Sequence, residues 1–234
     1  MHRFLRLPLV LWLAILPVAS SPLSEARRVP LQGVRNAREL GGIPLAGQAH
    51  VRPGWVYRTN SLFALTDSDM TRLQQLGIRS LIDFRLDWDR IKHPDRPDYL
   101  PRLAHYFWLP MTLNTTPAGY RKMPDEYAEQ IRELFHIFAQ SENYPLLYHC
   151  AEGKDRTGIA TALLLELLGA DREQIVDDYM ASLANGKKFY VEEAWIRGLL
   201  EGVDAAGGID NYLDLHGVPR EDREAIRRLL IVRD

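Results

Sequence analysis

Residues 144–168 read YPLLYHCAEGKDRTGIATALLLELL, and no other stretch of the 234-residue chain restricts its fold as much. The first six residues are apolar or aromatic and bounded by a proline, the pattern of a short buried strand. From Thr157 to Leu168 only Glu166 is charged, so these twelve residues form a helix that must be covered on most sides. Cys150 to Arg156 has to turn the chain from one to the other. A buried strand running directly into a buried helix is the repeating step of an α/β sheet. The expected fold is therefore α/β: a mainly parallel central sheet flanked by helices, with its site on a strand–P-loop–helix unit at the carboxyl edge of the sheet.

The rest of the chain supports that class. Residues 55–58, 79–84 and 105–109 read as further strands. Gly33, Gly41, Gly42 and Gly47 punctuate an irregular opening segment with room for a short hairpin. Thr66 and Asp69 form a T-x-x-D cap for a helix reaching Gln75 and stopped by Gly77. Polar, proline-bearing residues follow to Pro97. Apolar residues Tyr127, Ile131, Leu134, Phe135 and Phe138 recur at helical spacing, which predicts one helix over 124–140. Three more helices are expected at 171–184, 189–201 and 218–230. No repeat or linker divides residues 21–234, which are expected to form a single domain.

Residues 1–20 differ. Arg3 and Arg6 precede an uncharged run from Leu7 to Ala19, and Ala19-Ser20-Ser21 offers small residues for cleavage. At 13 residues, interrupted by Pro8 and Pro17, the run is shorter than the roughly 20 needed to span a bilayer. The expectation is a secretory signal peptide over 1–20 and a periplasmic or secreted protein without a stable span after cleavage. An uncleaved anchor is the alternative.

With 29 Lys and Arg against 31 Asp and Glu, the chain has no global bias toward nucleic acid. An anionic substrate would need a local cluster of positive groups. The single cysteine, Cys150, excludes an internal disulfide framework and a cysteine-rich zinc site. The seven histidines are scattered with no pair at helical ligand spacing, and neither metal nor cofactor is expected.

The loop supplies the cluster. Backbone N–H groups of Ala151, Glu152, Gly153 and Lys154, with a helix N-terminus behind them, form an anion cradle. Arg156 adds a planar fork able to hold two phosphate oxygens. The same field acts on the sulfur: a free thiol has a pKa of about 8.5, and a helix N-terminus with a nearby cation can bring it to about 3.5–7.5. A thiolate there could attack a phosphate held in the cradle, giving a cysteinyl-phosphate that water hydrolyses. A nucleotide-binding loop of the Walker A type does not fit, because Gly153-Lys154 is followed by Asp155 and Tyr148 stands where the first glycine belongs.

The decamer HCAEGKDRTG, a C-x5-R-T motif, resembles the cysteine-dependent tyrosine phosphatase superfamily, and within it the bacterial secreted branch acting on phosphotyrosine and, in several members, phosphoinositides. Asn36-Ala-Arg38-Glu39-Leu40-Gly41-Gly42 is similar to that branch's N-x-R-D-L-G-G opening, Tyr57-Arg58-Thr59 to its Y-R-S strand, and Asp83-Phe84-Arg85 to its D-L-R element. Glu39, Thr59 and Phe84 depart conservatively. The resemblance spans residues 31–230. It implies a phosphatase domain over 21–234 with Cys150 as nucleophile, acting on a phosphorylated protein or a phosphoinositide.

The resemblance also sharpens the choice of proton donor. The best-known tyrosine phosphatases carry a general-acid Asp on a W-P-D loop, and Trp108-Leu109-Pro110-Met111 has none. Asp155, inside the loop, is the first candidate and Asp83, at a strand end, the rival. Thr157 has a hydroxyl placed to stabilise the departing thiolate, or it simply starts the helix. Lys154 either meets a second phosphate or is solvated. His149 is expected to brace the loop. Asn36, Arg38, Arg58 and Arg85 fall near the pocket by resemblance, though salt bridges would explain each arginine. A non-catalytic phosphate-binding module remains the alternative, and a rhodanese-type sulfurtransferase has only a loop cysteine in its favour.

Overall fold

A computed structural model of the chain describes residues 25–233, so the expected signal peptide lies outside the described residues. In chain order come β1 (Arg38–Glu39), β2 (Pro44–Leu45), β3 (Ala49–Val51), β4 (Val56–Thr59), α1 (Asp67–Gln75), β5 (Ser80–Asp83) and α2 (Asp87–Lys92). Next are β6 (His105–Trp108), α3 (Pro117–Glu126), α4 (Ala128–Ala139), β7 (Leu146–His149) and α5 (Asp155–Leu168). The chain closes with α6 (Arg172–Met180), α7 (Glu193–Ala205), α8 (Ile209–Leu215), α9 (Arg220–Leu230) and β8 (Ile231–Arg233).

The main sheet has the order β1-β4-β7-β5-β6. Strands β4, β7, β5 and β6 run parallel, and β1 adds an antiparallel edge. Strand alternation sends successive side chains to opposite faces. Val56, Ile82, Leu146 and Tyr148 enter the larger core shared with α4, α5, α6, α7 and α9, while Tyr57, Leu81 and Leu147 meet α1 on the other face. Helix α5 lies inside the larger core and ends on Gly169, whose φ of 83° needs no Cβ. Register fixes the site: Thr59 and Asp83 both pair with His149, so three strand ends stand level where Cys150 begins the loop.

The Thr66–Asp69 box caps α1 as expected, each residue's side chain accepting the other's N–H. Four boundaries differ from the sequence reading. The polar stretch after β5 contains α2, whose Asp87 and Asp89 at its start and Arg90 and Lys92 at its end suit the helix dipole. The single helix expected over 124–140 is two, parted at Tyr127 (φ −124°, ψ 37°), with Thr116 and Pro117 starting α3. The helix expected over 171–184 gives way to a 3-10 turn at Ala181–Asn185, and the one expected over 189–201 begins at Glu193. Strand β8, absent from the sequence reading, pairs with β3 of the β2–β3 hairpin to make a second, three-stranded sheet. No described helix is long and apolar enough to cross a membrane.

Candidate active site

The loop from Cys150 to Arg156 owes its shape to what holds it from behind. Gly153 has φ 66°, and a Cβ there would sit 2.2 Å from the Thr59 carbonyl oxygen, so only glycine fits against the end of β4. The Gly153 carbonyl accepts from Arg58 Nη2 and Asn36 Nδ2, each at 2.9 Å. Carbonyls drawn to the back leave the loop's N–H groups for the front. Asn36 occupies the left-handed region at φ 58°, which asparagine tolerates, and is fixed by Asn185, Ser182 and Arg38.

Behind these residues lies an aspartate the sequence reading missed. Asp178, on α6, is fully buried and meets three arginines: Arg58 at 2.7 Å, Arg38 at 3.0 Å and Arg27 at 3.1 Å. Burial opposes its charge, but Arg38, Arg58 and Arg27 outweigh burial and hold its carboxyl far below the usual carboxylate range. Burial and the neighbouring Arg38 bring Arg58 down to about 10, still charged at neutral pH.

At the front, Cys150 is 1% exposed. Burial favours the neutral thiol, yet Arg156 and the hydroxyl and N–H of Thr157 overcome it and lower the thiol's pKa. Thr157 Oγ1 is buried without a fully formed hydrogen bond, available to the sulfur. Arg156 Nη1 is bound by the carbonyls of Phe84 and Met111, both at 3.1 Å, and Nη2 lies 3.7 Å from Asp89 Oδ2. The Nε–Nη2 edge is the part of the fork left to grip oxygen. The turn after β6, which lacks a W-P-D aspartate, thus serves through the Met111 carbonyl.

A family model described as the tyrosine phosphatase family matches residues 29–232, which include the loop, Arg58 and Asp178. The chain belongs to that family. It is 28% identical to a Cupriavidus necator protein named as a tyrosine-protein phosphatase, over 86% of this chain and 88% of the relative. It is also 28% identical to the triple specificity protein phosphatase PtpB of Mycobacterium tuberculosis, over 65% of this chain and 68% of PtpB. Among solved structures, a Cys-to-Ser form of Pseudomonas aeruginosa TpbA in complex with phosphotyrosine is similar, with 16% identity, a TM-score of 0.45, and coverage of 80% of this chain and 97% of that one.

The two candidate proton donors of this phosphatase have opposite surroundings. Asp83 is fully buried and accepts from Arg85 Nε at 2.9 Å, Arg85 Nη2 at 2.8 Å, the Arg85 N–H at 2.9 Å and Tyr106 Oη at 3.0 Å. Burial works against its charge, but His149 and Arg85 keep its carboxyl ionised below the usual range. Asp155 opens α5 on the loop itself. Its Oδ1 accepts from Tyr120 Oη at 2.6 Å, while Oδ2 has only Lys154 Nζ at 3.6 Å.

His149 is buried, with Nδ1 3.2 Å from the Cys150 carbonyl oxygen and Nε2 3.3 Å from Asp95 without hydrogen-bond alignment. It braces the start of the loop and Asp95 also holds Arg85 at 2.5 Å. Asp83, Asp95 and His149 form the one cluster of potential metal ligands among the described residues, and Arg85 pairs with both carboxylates there. Lys154 Nζ donates to the Tyr190 carbonyl at 2.7 Å and lies 3.6 Å from Asp155 Oδ2. Beside Ala151 and Glu152 opens a cavity of about 420 Å³ walled by Phe63, Trp88, Lys92 and His93.

Proposed function

We propose that the protein hydrolyses phosphotyrosine-type monoesters through a cysteinyl-phosphate formed on Cys150. The observation that carries this is the loop itself: a buried thiol with a lowered pKa, faced by Arg156, on a turn whose carbonyls are tied behind it. In the first step the Cys150 sulfur bonds to phosphorus and the ester P–O bond breaks, with Asp155 giving its proton to the leaving oxygen. In the second, water attacks phosphorus, Asp155 takes the water's proton, and the S–P bond returns its electrons to sulfur. Loop amides and Arg156 carry the phosphoryl charge throughout, without a metal.

Asp155 suits the donor role better than Asp83 because Oδ2 accepts no hydrogen bond, with only the Lys154 ammonium near it, and lies on the loop, whereas both Asp83 oxygens are spent. Thr157 receives the departing thiolate. Phe63 and Trp88 give the adjoining cavity aromatic walls for an aryl ester. Phosphoserine, phosphothreonine and phosphoinositide esters would use the same cradle without that fit.

Replacement of Cys150 by Ser should leave turnover of a phosphotyrosyl peptide below about one per cent, because an alcohol does not ionise there, while phosphate still binds. Substantial residual turnover, or activity lost to a chelator and restored by a divalent cation, contradicts the mechanism. Specificity constants on phosphotyrosyl peptides and a phosphoinositide panel decide the substrate class. The leader over 1–20 supports export. N-terminal sequencing of the protein recovered outside the cytoplasm should show a start near Ser21, and a chain beginning at Met1 would contradict cleavage.

A further inference from the structure

Asp155 is approached by a pair of buried tyrosines. Tyr120 on α3 and Tyr179 on α6 are 0% and 1% exposed, and their hydroxyls stand 2.7 Å apart. Tyr120 Oη is 2.6 Å from Asp155 Oδ1. The packing that permits this is specific: a Cβ on Gly158, one turn into α5, would come within 2.8 Å of the Tyr179 ring. The Tyr120 ring also rests against Trp195 of α7, with centroids 6.1 Å apart. The two hydroxyls bond to Asp155 and to each other rather than to the thiol or Arg156, and neither tyrosine belongs to a motif in the sequence.

A phenol has one proton. The ionised carboxylate has none to give, so Tyr120 donates to Asp155 and its remaining lone pair accepts from Tyr179. Burial first, then the Asp155 charge, pushes the Tyr120 hydroxyl far above its ordinary pKa, which keeps that proton in place. Tyr179 is likewise raised, chiefly by burial.

We propose that Tyr120 is the positioning residue of the proton donor: its hydroxyl, backed by Tyr179, fixes Asp155 Oδ1 and leaves Oδ2 as the oxygen that carries the proton to and from the reacting phosphate. This rests on the reading of Asp155 as general acid. The direction of its effect on pH follows from the donor geometry. A hydrogen bond given to the carboxylate stabilises its ionised form. Removing it withdraws that support from the ionised form, so the basic limb of the rate profile is expected to move up. The other groups around Asp155 are Lys154, at 3.6 Å, and the Cys150 sulfur, with Arg58 and Glu192 acting on Tyr179. None of these is altered by deleting a phenolic oxygen.

The test is the pH dependence of kcat/KM on a phosphotyrosyl peptide for wild type, Tyr120→Phe, Tyr179→Phe and Asp155→Asn, with vanadate inhibition and thermal unfolding as checks that the cradle is intact. Asp155→Asn should abolish the basic limb. Tyr120→Phe should move that limb up by roughly half to one pH unit and lower the rate on alkyl esters more than on aryl esters. Tyr179→Phe should move it the same way by less. An unmoved limb in Tyr120→Phe beside a lost limb in Asp155→Asn overturns this proposal alone. A basic limb retained in Asp155→Asn overturns the general-acid reading and the proposal with it. Should Tyr120→Phe not fold, Tyr179→Phe decides: an upward shift supports the relay and an unmoved limb overturns it.

Discussion

The two sides of one loop are built on opposite principles. Behind it, Asn36, Arg38, Arg58 and Asp178 spend their polar atoms, Arg58 Nε excepted, on one another and on neighbours such as the Glu152 and Gly153 carbonyls. In front, Thr157 Oγ1 has no fully formed bond, Arg156 keeps one edge open, and Asp155 keeps one oxygen. A closed network is rigid, and an open one binds. The cradle needs both, since amides can be held ready for an anion only if something else fixes the carbonyls. Three arginines against one aspartate also leave net positive charge behind the loop, in surroundings that water does not screen.

The comparison can be broken at the back first. Asp178→Ala removes one partner from a buried cluster and strands three guanidinium groups, which typically costs about 3–5 kcal/mol. Thermal and denaturant unfolding should show this loss, with weaker phosphate binding in whatever remains folded. Unchanged stability would mean that the arginines do not need their counter-charge. Because burial is outweighed and the folded Asp178 pKa is depressed, this contribution is present above the unfolded aspartate value and lost as pH falls toward the folded one. The stability of wild type should therefore drop in acid more steeply than that of Asp178→Asn.

The front should respond differently. Thr157→Val removes a hydroxyl that lowers the Cys150 pKa, so the thiolate should appear at higher pH. The acid limb of the rate profile should move up by about one unit or less, with stability nearly unchanged, since one side-chain hydrogen bond is worth only about 1 kcal/mol. An unmoved acid limb, measured also by the pH dependence of alkylation at Cys150, would remove Thr157 from the thiolate's support.

The front was legible in the sequence because it is contiguous. Strand, cysteine, glycine, arginine and helix follow one another, and their spacing alone specifies an anion cradle. The back was legible only in part. Resemblance brought Asn36, Arg38 and Arg58 near the pocket without showing that they act on carbonyls rather than on phosphate. Asp178 had no signal, since Asp177 beside it is the same residue type and only helix packing decides that Asp177 is exposed and Asp178 buried. The same holds for Tyr120: in the sequence Pro124 reads as a helix start, whereas it lies inside α3. Helix α2 was hidden by its polar composition, although its Asp89 approaches Arg156 and its Trp88 walls the cavity. Long-range pairing is set by the fold, and a single sequence carries little trace of it.

The central claim is that the Cys150 sulfur bonds covalently to phosphorus during turnover. Rapid denaturant quench of the enzyme mixed with an activated aryl phosphate, followed by mapping of the modified peptide, addresses it directly. The account predicts a phosphoryl group on the peptide containing Cys150, formed in a burst with release of the aryl alcohol and absent from Cys150→Ser. Turnover without that burst, or a phosphoryl group on any other residue, would contradict it.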